Sequence, residues 1–188
     1  MELKEIILSD YKRCGITVIN LKVLFKTFII MPNPGLKFMT IFRLTQHYRR
    51  KNRIWFYFFF LWLRNLKYKY GFDISYRTQI GKGFYIGHFG NVVIHGDTVI
   101  GDNCNISQGI TFGVNNAGKK RGVPRIGNNV FVGPGACVFG KITIGDHVTI
   151  GANAVVTENI PDHHTVLSPR VTLINKDLSP FYIHNSDH

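Results

Sequence analysis

Two side chains fifteen residues apart, Asp73 and His88, carry the residue types with which this chain of 188 residues could do acid–base chemistry. His88 lies in Ile86-Gly87-His88-Phe89-Gly90-Asn91, and Asp73 in Gly71-Phe72-Asp73-Ile74. An imidazole of ordinary pKa, about 6.5, can take a proton from a hydroxyl near neutral pH. A carboxylate on the other ring nitrogen would fix the tautomer and support the imidazolium that forms. Taken alone, a histidine such as His88 is more often an ordinary surface residue than a functional one. A polar loop, Gly113-Val114-Asn115-Asn116-Ala117-Gly118-Lys119-Lys120-Arg121-Gly122-Val123-Pro124, adds three consecutive cations. They suit phosphate groups, or they are simply solvated. His163-His164 and His184 show no metal-ligand spacing, so no metal is expected.

What must position these groups is a repeat of six. From Ile74 an aliphatic or aromatic residue returns as Ile80 and Ile86, and the register then slips by two at Val92–Ile94. It continues as Ile100, Ile106 and Phe112, is broken by the loop, and resumes as Ile126, Val132, Val138, Ile144, Ile150 and Val156. Gly follows directly at many of these positions. A second small or β-branched residue comes four places on, as at Thr98, Cys104, Val130, Ala136, Val148 and Ala154. A helix needs a period near 3.6 and a plain strand a period of two. A period of six with Gly punctuation is that of a parallel β-helix, in which three six-residue sides make one coil. Eighteen residues per coil place Ile94 beneath Phe112, Ile126 beneath Ile144 and Val132 beneath Ile150. Asp102-Asn103 and Asn128-Asn129 are residue types that tolerate tight corners. Cys104 falls at an inward small position and is expected to be a buried thiol.

Charge divides the chain. Residues 1–70 hold 14 Lys and Arg against Glu2, Glu5 and Asp10, a formal +11, while the remainder is nearly neutral. This basic segment reads as helical, with apolar periodicity over Val18–Met31, a break at Pro32-Asn33-Pro34-Gly35, and two helices over Leu36–Arg50 and Arg53–Tyr70. Ile54 to Leu63 is an unbroken aromatic and aliphatic run between cationic flanks. Ten apolar residues are too few to cross a hydrocarbon core, which takes about 20 in a helix. The run therefore packs in a bundle between subunits or lies against an anionic membrane surface. Nucleic acid is not an expected partner, because no recognised nucleic-acid module accompanies the charge. An odd three cysteines and the lack of a cleavable leader point to the cytoplasm, peripheral to the membrane's inner face if the helices touch it. The expected organisation is a basic helical region over 1–70, a β-helix over 71–170 and a tail over 171–188.

Gly71-Phe72-Asp73-Ile74, Ile80-Gly81-Lys82-Gly83, Ile86-Gly87-His88 and Gln108-Gly109-Ile110-Thr111-Phe112-Gly113 together resemble the catalytic domain of serine O-acetyltransferases. They resemble equally the related O-acetyltransferases of bacterial capsule, exopolysaccharide and lipopolysaccharide synthesis, of the colanic-acid type. The resemblance implies a left-handed parallel β-helix, a homotrimer, acetyl-CoA as donor and a hydroxyl as acceptor. It makes His88 the general base and Asp73 its partner, with direct transfer of acetyl from sulfur to oxygen in a crevice between subunits. It further implies an oxyanion donor among the backbone N–H groups near Gly113-Val114, and a pantetheine arm bonded to backbone at Val114, Pro134 and Ala152. Pro134 has no N–H to offer. Lys119, Lys120 and Arg121 would meet the nucleotide phosphates. Arg170, in Leu167-Ser168-Pro169-Arg170, is a weaker match because the family's Gly and Ala are missing there.

The acceptor is where this chain departs from the serine enzymes. They carry an Arg-His pair just before the Pro that rejoins the helix, and here those positions are Gly122 and Val123. Losing that cation removes a charge-assisted contact to a carboxylate, worth about 1.5–3 kcal/mol. With the basic N-terminal region, this favours a sugar hydroxyl of a bacterial surface polysaccharide or its precursor as acceptor. Serine is the alternative. Two readings from other classes are a non-catalytic trimeric membrane scaffold and a zinc lyase resembling γ-class carbonic anhydrases. The lyase needs three converging histidines, for which His88 and His95 do not supply the pattern.

Overall fold

The computed structural model describes residues 2–30 and 33–168. Short parallel strands stack on three faces of a β-helix. The first face holds Phe72–Ile74, Val92–Ile94, Thr111–Gly113, Cys137–Phe139 and Val155–Val156. The second holds Gln79–Ile80, Val99–Ile100, Arg125–Ile126 and Thr143–Ile144. The third holds Tyr85–Ile86, Asn105–Ile106, Phe131–Val132, Thr149–Ile150 and Thr165–Val166. The register is the one the period requires: Ile94 pairs with Phe112, Ile126 with Ile144 and Val132 with Ile150. The six-period residues and the small residues four places on, Thr98, Cys104, Val130, Ala136, Val148 and Ala154, are all buried. One continuous apolar column results.

The corners explain the Asp and Asn residues that follow the repeat glycines. Backbone N–H groups of Lys82, Asp102, Asn128 and Asp146 each donate to the Oδ1 of the residue one coil on, at 3.0, 2.8, 2.7 and 2.8 Å. The acceptors are Asp102, Asn128, Asp146 and Asp162. The next residues, Asn103, Asn129, His147 and His163, take the left-handed conformation with φ between 55 and 60°. Asn is well suited to that conformation and His less so. Gly81 has no choice: a Cβ there would sit 2.5 Å from the backbone of Gly101. The last coil escapes the six-residue count. Ile160 bridges to Ile144 and Val166 pairs with Ile150, so this coil is two residues short.

Four helices precede the strands: α1 (Leu3–Lys12), α2 (Leu21–Phe25), α3 (Pro34–Tyr48) and α4 (Arg53–Tyr70). Asn20, Asn33 and Asn52 cap the last three by accepting the N–H of Val23, Leu36 and Trp55. Gly71, with φ 68°, ends α4. Two expectations are revised. Periodicity missed α1 altogether, and the single helix expected over Val18–Met31 is α2 running into a π-helical turn over Lys26–Ile30.

An open solenoid end would leave its apolar column wet, and α3 closes it. Phe38, Met39, Ile41 and Phe42 join Phe72, Ile74, Ile80, Phe84 and Ile86 in one core. Arg43 locks the arrangement. Its guanidinium donates to Asp10 of α1, with Nε 2.9 Å from Oδ2, and to the carbonyls of Ile80 and Gly81. Asp10 in turn accepts the N–H of Phe84 at 2.9 Å. Among the described residues no helix is long and apolar enough to cross a membrane.

Candidate active site

Asp73 is the middle residue of its strand on the first face, and its side chain points outward with 72% exposure. The same outward row continues through Val93, Thr111, Cys137 and Val155. Its carboxylate is engaged by Lys67 from the last turn of α4, with Nζ 2.8 Å from Oδ1. Lys67, Tyr68, Asp73, Asn91 and Val93 line a groove of about 450 Å³ between α4 and the first face. Spacing had not singled out Lys67. The signal was available only in space, because it depends on where α4 ends.

His88 is exposed at the corner through which the chain passes from the third face to the first. Register stacks Ile86, Ile106, Val132 and Ile150, so the residues two places on from each, His88, Gln108, Pro134 and Ala152, form one column up that corner. Two backbone bonds hold the column: Gly135 N–H to Gln108 O, and Asn153 N–H to Pro134 O. Pro134 and Ala152 are exposed. His88 and two of the expected pantetheine positions thus share one edge. Among the described residues, no hydrogen bond joins Asp73 to His88 within the chain.

Gly113 and Val114 leave the first face at its opposite edge. Phe139 lies directly beside Gly113, where an added Cβ would clash with its ring. Val114 is partly exposed. The loop beyond it closes on itself, with N–H···O bonds of 2.9 Å in both directions between Asn115 and Gly122. Lys120 is pinned by its Nζ to the carbonyl of Thr157 at 2.7 Å, whereas Lys119 and Arg121 are exposed at the loop tip. Arg170 lies outside the described residues. Val114 and the Pro134–Ala152 column are therefore separated by the width of a face in a single chain.

Among the described residues no three His, Cys, Asp or Glu side chains converge as a metal site. His95 instead accepts the N–H of Asp97 through Nδ1 at 3.2 Å.

The comparisons with known proteins fit this geometry. Residues 124–158 match a family model described as bacterial transferase hexapeptide (six repeats). A serine acetyltransferase of Helicobacter pylori is 38% identical over 150 residues, covering 79% of this chain and 86% of that protein. One from Staphylococcus aureus is 41% identical over 109 residues, or 57% of this chain and 50% of that protein. Among solved structures, isoform 3 of serine acetyltransferase from Entamoeba histolytica, in complex with cysteine, superposes with a TM-score of 0.72 at 30% identity. The match covers 95% of this chain but only 63% of that one.

These relatives overturn one expectation. A sugar hydroxyl in a surface polysaccharide was favoured because Gly122 and Val123 replace the Arg-His pair. The relatives that match over most of the chain are serine acetyltransferases, and the capsule and colanic-acid type finds no support beside them. The physical reason for the error lies in the loop. Gly122, at φ 135°, closes the Asn115 bridge, and a Cβ there would press on Lys141 at 3.1 Å. Its identity reports how the loop closes, so the missing arginine was weak ground for excluding a carboxylate-bearing acceptor.

Proposed function

We propose, for a chain that belongs to the serine acetyltransferase family of hexapeptide-repeat transferases, that it moves an acetyl group from acetyl-CoA to the hydroxyl of L-serine. His88 takes the hydroxyl proton as the serine oxygen attacks the thioester carbonyl. The carbonyl oxygen becomes an oxyanion and is stabilised by backbone N–H near Gly113-Val114. The C–S bond then breaks, the thiolate of CoA takes the proton from the imidazolium, and O-acetylserine is released. Asp73 orients the imidazole. Lys119 and Arg121 meet the nucleotide phosphates, with Arg170 as a further candidate, and Lys120 holds the loop to Thr157.

The observation that carries the reading is the split between edges. The column of His88, Pro134 and Ala152 stands at one edge of the first face, and Val114 with the basic loop stands at the other. The reading places a single acetyl-CoA where the loop edge of one chain meets the corner column of another. Supporting this, the outward row between the edges carries exposed Val93 and Val155. Closed threefold symmetry makes three such meetings from one contact, and the working unit is a homotrimer. Three cysteines without a disulfide suit the cytoplasm.

The test is acetyl-CoA-dependent thiol release with L-serine, read with a thiol reagent, alongside sedimentation. Release with serine, a mass about three times the 21.5 kDa chain and a loss of roughly 10²–10⁴ in turnover for His88→Ala are expected. A trimer that releases no thiol with serine would overturn the acceptor. An active monomer would overturn the two-chain site.

A further inference from the structure

The N-terminal helices expose an apolar face that the proposed reaction does not use. On α2 and the π-helical turn after it, Leu21, Phe25 and Ile29 follow one another at helical spacing, and Leu21 is 84% exposed. On α4, Ile54, Trp55, Phe58, Leu61 and Trp62 form a second stripe, and Ile54 is 81% exposed. Phe28 packs on Trp62, with ring centroids 5.4 Å apart, so the two stripes belong to one surface. The opposite sides of both elements are buried: Thr27 faces inward, and Leu63 and Leu66 enter the core. Large exposed apolar surface of this kind marks an interaction site.

The rim decides the occupant. Between Asp10 and Asp73 there is no acidic residue, while thirteen Lys and Arg stand there. Arg43 and Lys67 are held by those two acids. Lys22 and Lys26 flank the first stripe, and Arg49, Arg50, Lys51 and Arg53 crowd the start of the second. Arg53 lies over the Tyr57 ring at 5.7 Å, which keeps its charge beside the apolar stripe. A second copy laid face to face would set this cationic rim against itself. An anionic bilayer supplies the missing counter-charge, and its acyl boundary accepts the stripes lying flat. We infer that the α2–α4 face docks on an anionic lipid surface, holding the β-helix at the membrane. This rests on the helices alone and is independent of the acceptor.

The chain's two tryptophans, Trp55 and Trp62, both lie on this face, so their emission reports on it directly. With phosphatidylglycerol-containing vesicles, emission should shift to the blue and the protein should float. With phosphatidylcholine alone neither should occur. Replacing Arg49, Arg50, Lys51 and Arg53 together by Gln should weaken partitioning at least about tenfold, as should raising the salt. The variant Leu21→Ser/Ile29→Ser/Ile54→Ser should abolish the shift. No flotation with either lipid overturns the inference, whatever the variants do. Emission already blue without lipid, together with a mass above the trimer that falls in the triple variant, would assign the face to a second copy instead.

Discussion

Removing the guanidinium of Arg43 tests how the helical cap is joined to the β-helix. Arg43 and Asp10 have side chains only 1% and 2% exposed, and they tie α1 and α3 to the first coil at Ile80, Gly81 and Phe84. Arg43→Met preserves most of the apolar stem but leaves the Asp10 carboxylate buried without its cation, and two carbonyls without their donor. Breaking one side of a buried pair costs about 3–5 kcal/mol. For a chain of this size that is a fall in Tm of roughly 10 °C. Urea denaturation of the variant should report that loss, and Arg43→Met/Asp10→Asn should recover part of it by removing the stranded charge. The pH dependence has a definite sign. Burial already pushes the Asp10 carboxyl up from its ordinary value, against the pull of Arg43. Without Arg43 the folded-state pKa rises further above the unfolded one. The protonated form then favours folding, so the deficit of the variant should shrink as pH falls from 7 toward 4. A loss below about 1 kcal/mol, or a deficit that grows on acidification, would show that the cap is held by apolar packing and not by this pair.

Two further outcomes follow from the coils. Burial pushes the Cys104 thiol up to about 11, and its Sγ lies 3.1 Å from the carbonyl of Gly127. At pH 8 iodoacetamide should therefore leave Cys104 unlabelled in the folded protein and label it once urea is added, as peptide mass mapping would show. The Asp146 carboxyl is held below its ordinary value by the backbone N–H and side-chain amide of Asn128. Its contribution to stability is thus present above the unfolded carboxylate pKa and lost as pH falls through the folded one. Asp146→Asn should consequently show a shallower acid loss of stability than the parent below about pH 4.

The coils were legible because every coil repeats the same physical demand. Ile94, Phe112 and Val138 must all face the column, and a period of six places them there without reference to anything else in the chain. What the period could not register were segments whose reason is local to one place. The final coil, closing at Ile160 and Val166, drops two residues and so leaves the count. α1 is short, and it is tied to the β-helix by polar contacts: Ser9 and Asp10 accept the N–H groups of Gly83 and Phe84, 74 residues away. No window of sequence contains such a contact. The π-helical turn after α2 was hidden for a similar reason, since its apolar residues keep a helical spacing while the backbone bonds shift by one.

The candidate site divides along the same line. His88 was visible through the Ile86-Gly87-His88 segment that carries the resemblance, and register then puts Pro134 and Ala152 in its column. Lys67, which holds Asp73, was invisible because the contact joins the end of a helix to the strand after it. The acceptor was misread for a more general reason. Gly122 and Val123 were weighed as though the acceptor's cation had to come from that loop position, yet the loop and the His88 column stand on opposite edges of one face. In a site assembled from two chains, either chain can supply a carboxylate's partner from any element that reaches the crevice. Lys67 stands beside the groove at Asp73, and Lys119 and Arg121 stand at the loop tip. The absence of one cation from one position therefore removes a particular contact without excluding a carboxylate-bearing acceptor, and a motif read within one chain has no means of telling these apart.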